Sequence, residues 1–144
     1  MEIKSQFKNR SGEMIDYVFR EGADPMEDLD GKILHAVHGF CVYGDKLVIV
    51  YAGDKGYWTF PGGGIESGET WQDATIREVH EESNMKVLHM ELIGYIDVYE
   101  KDKILRMPRS MCIVEPYGEF VSDPDVDITE VKLVDPKDYA EFVK

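Results

Sequence analysis

The sequence predicts an α/β fold, a mixed sheet set between helices in a single domain. Three observations carry this reading. Apolar, β-rich runs bounded by turn residues recur along the chain, a helical segment near the middle interrupts them, and a second, shorter one closes the chain. With 144 residues, 43% of them hydrophobic, the chain has the length for one domain with a real core and would be cramped as two.

Taken in order, Met14–Phe19 (MIDYVF) predicts a strand between the turn-like Arg10–Glu13 and the polar, Pro25-containing Glu21–Asp30. Residues 1–30 therefore read as an N-terminal hairpin or arm. Three roles stay open for it: edging the main sheet, helping to bind a base, or contacting another subunit in a homodimer. Ile33–Tyr43 and Lys46–Ala52, joined at Gly44 and Asp45, read as the central strand pair. Within the first, His35 and His38 fall on opposite faces by period two and read as ordinary polar histidines. Gly53–Gly56 is a loop, and Tyr57–Phe60 a short strand delivering the chain into a glycine-rich turn at Gly62, Gly63 and Gly64.

Beyond the central helix, Lys86–Tyr99 suggests a strand beginning near His89. Glu100–Lys103 is a charged turn, and Ile104–Glu115 another strand, whose Arg106 and Arg109 are candidate phosphate partners. Pro116–Ile128 reads as a loop, Glu130–Val134 as a final strand and Pro136–Lys144 as a short helix. Cys41 and Cys112 lie in apolar strand-like runs, as buried free thiols do.

A formal charge of −13 disfavours a long nucleic acid bound through a basic surface. A small anionic ligand is compatible with it if a metal supplies local positive charge. No apolar run reaches membrane-spanning length, and Met1–Arg10 lacks the apolar centre of a secretion signal, so the cytoplasm is the expected compartment.

The chemistry concentrates between Gly62 and Met85. Thr70 is placed to cap a helix, with Asp73 three residues on, and the helical pattern runs to about Ser83; Asn84 suits the left-handed position that ends it. A 3.6-residue period puts Trp71, Ala74, Thr75, Glu78, Glu81 and Glu82 along one stripe, with Ile76 and Val79 on its flank. The apolar start of the stripe points toward protein, so three carboxylates follow onto a face that is not plainly solvent. Like charges at this spacing disfavour the helix unless something cationic compensates. Arg77 alone cannot balance three acids. A hard ion, Mg2+ or Mn2+, prefers oxygen ligands at such a convergence.

The spacing G-x5-E-x7-R-E-U-x-E-E-x-G-U, with U aliphatic, resembles the Nudix box of residues 63–85. Gly63, Glu69, Arg77, Glu78, Val79, Glu81, Glu82 and Met85 match it, Asn84 stands where the family normally has glycine, and W-T-F-P-G-G from Trp58 to Gly63 leads in as family members often do. The resemblance implies a Nudix-type α/β/α sandwich with a mixed β-sheet over 1–144, and metal-dependent hydrolysis of a nucleoside diphosphate linked to another group. It assigns Glu81 and Glu82 as metal ligands, Glu78 as a ligand or general base, the Gly62 or Gly63 carbonyl as a further ligand, and Arg77 and Glu69 as the pair that orients the site. A later acidic residue completes some members' sites; here Glu119, Asp123, Asp125, Asp127 and Glu130 are all available. Tyr57, Trp58, Tyr95 and Tyr99 are aromatic candidates for stacking on a base.

For substrate, the resemblance puts nucleoside triphosphates first, oxidised ones included, cleaved to monophosphate and pyrophosphate. ADP-ribose, NDP-sugars and dinucleoside polyphosphates are the alternatives. A module that binds nucleotide without hydrolysing it is the reading from another class.

Overall fold

The computed structural model describes residues 1–119 and 128–143. Strands β1 (Glu2–Lys8) and β2 (Met14–Glu21) form an antiparallel hairpin, followed by β3 (Lys32–Leu34), β4 (Ala36–Tyr43), β5 (Lys46–Ala52), β6 (Tyr57–Thr59) and β7 (Gly62–Gly64). Helix α1 (Trp71–Ser83) leads into the long pair β8 (Met85–Tyr99) and β9 (Ile104–Pro116). Then come β10 (Ile128–Val134), a 3-10 turn at Pro136–Asp138 and the four-residue α2 (Tyr139–Phe142). The sheet runs β1-β2-β8-β9-β4-β5-β10, with β3 beside β9, β6 beside β5 and β7 beside β4. Among the described residues only the β3–β9 and β4–β9 pairings are parallel, so the sheet is mixed, as expected.

The sequence gives no sign of β1 because all seven of its residues are exposed, which removes the alternation that marks a half-buried strand. The run expected as one strand from Ile33 is divided at His35. Five residues from Leu34 to His38 oppose four from Arg106 to Arg109, so one residue is extra. His35 N–H still bonds Arg106 O at 2.9 Å, but its carbonyl turns to accept Ile65 N–H at 3.0 Å. Opposite faces for the two histidines assumed a regular strand; with the irregularity, both line one cleft.

Helix α1 begins as expected, Thr70 Oγ1 accepting Asp73 N–H at 3.1 Å. Its buried side is Trp71, Ala74, Thr75, Val79 and Ser83, so Val79 belongs to the core, while Ile76 is exposed. Val79 packs with Cys41, Val48, Met85, Cys112 and Val114, and Trp71 and Ala74 pack on Val37. The two cysteines are buried and free. Asn84 ends the helix at φ 55°, and β8 starts at the next residue rather than near His89. The last helix covers less than the expected Pro136–Lys144, and Lys144 lies outside the described residues. Among the described residues no helix is long and apolar enough to cross a membrane.

Candidate active site

Three consecutive glycines form one wall of the site, and each meets a different side chain of α1. Gly62 N–H donates to Glu82 Oε1 at 2.8 Å. Glu78 lies over Gly63, where an added Cβ would fall 2.6 Å from its carboxyl carbon. Arg77 Nη2 donates to Gly64 O at 2.9 Å. The expected glycine-rich turn is thus a strand, β7, paired with β4 through Val37 and Gly63. None of the three has the positive φ for which glycine is usually required. Glycine is needed for closeness instead: a Cβ at Gly62 would sit 2.2 Å from Val37 O, and one at Gly63 would displace the Glu78 carboxylate.

Arg77 organises the acids. Its Nε and Nη2 form a two-pronged pair with Glu69 at 2.8 and 2.9 Å, and Nη1 reaches Glu78 at 2.8 Å and Glu81 at 3.2 Å. Glu66 stands 3.8 Å away. The Glu69 bonds, more than any other influence, raise the guanidinium's pKa further, and in return Arg77 holds the Glu69 carboxyl below the usual carboxylate range. One cation among four carboxylates leaves the cluster strongly negative.

Glu78 and Glu82 line a cleft of about 440 Å³ together with Asp54, Lys55 and Tyr57. His38 also lines it, and its buried Nδ1 has no hydrogen-bond partner among the described residues. Burial first, then the charges of Arg109 and Lys55, lower its pKa to about 3, so the imidazole is neutral at neutral pH. Its strand position alone made it look ordinary, because the sequence does not show what β7 and β9 bring beside it.

The donor set suits a hard divalent ion: half-buried carboxylates with excess negative charge, lying against a strand whose carbonyls are within the same wall. Among the described residues no three His, Cys, Asp or Glu side chains form a closed ligand cluster. Glu78 and Glu82 front the cleft, while Glu81 is held by Arg77.

Other expectations separate here. Arg106 is fully buried, pairs with Asp97 at 2.9 and 3.1 Å, donates to Pro25 O at 2.9 Å and to Glu27 O, and stacks on Tyr95 at 3.8 Å. Its donors hold residues 25–27 to the sheet, which leaves it no part in phosphate binding. Tyr95 is core; Trp58 packs edge-on against Tyr51 and Phe142; Tyr99 is away from the cleft, and Tyr57 lines it. Glu119 and Glu130 are exposed, and Asp123, Asp125 and Asp127 lie outside the described residues.

A mixed sheet with a carboxylate-bearing helix pressed on a glycine strand is the arrangement the Nudix box encodes. The NUDIX domain model matches residues 32–144, and the chain belongs to the Nudix family. It is 36% identical over 58 residues to the uncharacterized Nudix hydrolase YvcI of Bacillus subtilis, covering 40% of this chain and 37% of that protein. To the putative 8-oxo-dGTP diphosphatase YtkD of the same organism it is 35% identical over 65 residues, 45% of this chain and 40% of that one. The matches thus span about two fifths of these relatives' lengths. In structure it resembles the B. subtilis pyrophosphohydrolase BsRppH, with TM-score 0.70 at 20% identity over 90% of this chain and 76% of that one. A MutT structure from work on Aliivibrio salmonicida and Vibrio cholerae gives TM-score 0.61 at 23% identity over 78% and 88%. At these identities the structural likeness shows the fold.

Proposed function

We propose that the chain is a Mg2+- or Mn2+-dependent pyrophosphohydrolase acting on a small nucleotide, with nucleoside triphosphates, oxidised ones included, cut to monophosphate and pyrophosphate. The observation that carries this is the unbalanced acid cluster: four carboxylates within 4.0 Å of, or hydrogen-bonded to, one arginine, with two of the box glutamates fronting a cleft. The name of YtkD, a putative 8-oxo-dGTP diphosphatase, supports nucleoside triphosphates over ADP-ribose, NDP-sugars or dinucleoside polyphosphates. The charge of −13 argues against a long nucleic acid.

In this reading Glu78, Glu81 and Glu82, with the Gly63 carbonyl, hold the ion. When bound, the ion supplies the positive charge that admits phosphate oxygens to an acidic cleft and makes a water nucleophilic at neutral pH. Where Glu78 is not itself a ligand, it is the general base that takes that water's proton. Gly62 N–H fixes Glu82, Arg77 Nη2 ties the helix to β7 through Gly64 O, and the Glu69 fork holds that guanidinium in place, so the carboxylates are oriented before substrate arrives. Water adds to phosphorus, the anhydride P–O bond breaks, and the monophosphate and pyrophosphate leave.

Glu82→Gln tests this, because the amide oxygen can still accept Gly62 N–H while the charge is lost. Turnover of nucleoside triphosphates should fall about a hundredfold or more, the melting temperature should hold, and the rise in melting temperature produced by Mn2+ should shrink. Equal turnover of variant and parent at saturating Mg2+ contradicts the proposal. Nucleotide binding by the parent with no turnover across NTPs, dNTPs, ADP-ribose, NDP-sugars and dinucleoside polyphosphates favours a binding module instead.

A further inference from the structure

Arg109 is the unusual cation of this fold. It is half-buried, and burial lowers its pKa to about 10, yet among the described residues no carboxylate or other acceptor pairs with it. Its neighbours across the sheet are His38, which is neutral, and Gly94, which has no side chain. Three residues earlier, Arg106 has its donors taken by Asp97 and two carbonyls. A guanidinium withdrawn from water with its donors unclaimed is suited to receive acceptors from a ligand.

Arg109 lines a groove of about 460 Å³ that is walled by Phe7, Tyr17, Ile96 and Met107. His35 and Met107 line this groove and the acid cleft alike, so the two are neighbours along one surface. Phe7 and Tyr17 come from the N-terminal hairpin, their rings 6.0 Å apart and tilted. The walls are apolar and aromatic, which suits a flat ring more than a phosphate. Glu100 stands at the same groove and would repel a second anion. It supplies, however, an acceptor that a base bearing N–H donors can use.

Resting on the hydrolase reading above, we propose that this groove seats the nucleobase of the substrate and that Arg109 reads its acceptor edge, selecting guanine over adenine. Guanidinium has donors and no acceptor. Guanine offers two adjacent acceptors, N7 and O6, where adenine offers an acceptor beside a donor, and guanine's other edge carries N–H donors for a carboxylate such as Glu100.

The test is turnover of GTP, ATP and inorganic tripolyphosphate, together with calorimetric binding of GMP and AMP, in the parent and in Arg109→Met, Arg109→Lys and Phe7→Ala. The parent should favour GTP over ATP in kcat/KM by roughly tenfold or more, and should bind GMP more tightly than AMP. Arg109→Met should bring both ratios near one, and Arg109→Lys should restore only part, since an ammonium lacks the fork. Phe7→Ala, at an exposed position, should raise KM for both nucleotides. A parent without base preference overturns the proposal, as does Arg109→Met slowing GTP, ATP and tripolyphosphate equally, which would place the arginine on phosphate. If the parent cleaves no nucleotide yet binds GMP through Arg109, the hydrolase reading fails and this one stands; cleavage without base preference gives the converse.

Discussion

Arg77 and Arg106 are both held by carboxylates and carbonyls, yet they sit in opposite electrostatic situations. Arg106 is 0% exposed, bonded to a single acid, Asp97, itself 0% exposed, with Lys32 3.7 Å from that acid. Arg77 is 23% exposed and stands among Glu66, Glu69, Glu78 and Glu81. The first network is complete in charge and fixes residues 25–27 against β8 and β9. The second is incomplete, and the deficit faces a cleft. What separates a structural ion pair from a working one here is the charge left over, since in both cases the arginine makes short, well-directed bonds.

Breaking the complete network should give the largest effect on stability. Arg106→Leu would leave Asp97 buried without its partner, and losing one member of such a pair typically destabilises by about 3–5 kcal/mol. Chemical denaturation should show that loss. A destabilisation below 1 kcal/mol would mean that Asp97 finds water or Lys32 instead, and that the two arginines differ less than their surroundings indicate.

The incomplete network is best sharpened at Gly63. Gly63→Ala puts a methyl where the Glu78 carboxyl now lies, so Glu78 must rotate away while the rest of α1 keeps its contacts. We expect turnover to fall about a hundredfold, or roughly 2.7 kcal/mol in transition-state terms, with a much smaller change in folding stability. Wild-type turnover in this variant would show that Glu78 need not rest against β7.

Much of this was legible in the sequence, and unevenly so. Thr70, the helix to Ser83 and the central strands follow from local signals, namely caps, period and spacing, and the Glu69–Arg77 pairing follows from the family resemblance. Three features did not. The glycines are a strand because β4 lies beside them, a long-range pairing that glycine's own permissiveness hides. Val79 is core and Ile76 exposed because the buried face is set by where the sheet lies, and a stripe drawn through the acids is tilted relative to it. Arg106 and Arg109 look equivalent on paper; only tertiary packing gives Asp97 to one and, among the described residues, no acid to the other.

His38 offers a milder perturbation of the working side. Its folded pKa, about 3, is below the ordinary value of 6.5, so the unfolded chain binds the extra proton first as pH falls. The stability from keeping this imidazole neutral is therefore present above pH 6.5 and is lost as pH drops toward 3. Measured in metal-free buffer, His38→Gln should flatten the fall in stability over that window. An unchanged slope would assign the fall to carboxylates alone.

The smallest effect is expected at Asn84, the one departure from the family's glycine. Its φ of 55° and ψ of 36° are left-handed, a region Asn enters more readily than most residues and Gly more readily still. On backbone grounds alone Asn84→Gly would be neutral or slightly stabilising. Asn84, however, also donates from Nδ2 to Glu119 O at 2.8 Å, a bond that glycine cannot make. The two terms oppose each other, each at about 1 kcal/mol or less, so the net change should stay within about 0.5 kcal/mol. Asn84→Val loses the side-chain bond and adds a β-branched clash, and should destabilise by about 1–3 kcal/mol. Thermal melts of the three proteins decide it. If valine were tolerated as well as glycine, the left-handed cap would not be what fixes the end of α1, and the placement of Glu81 and Glu82 would have to rest on the Arg77 network and the Gly62 bond instead.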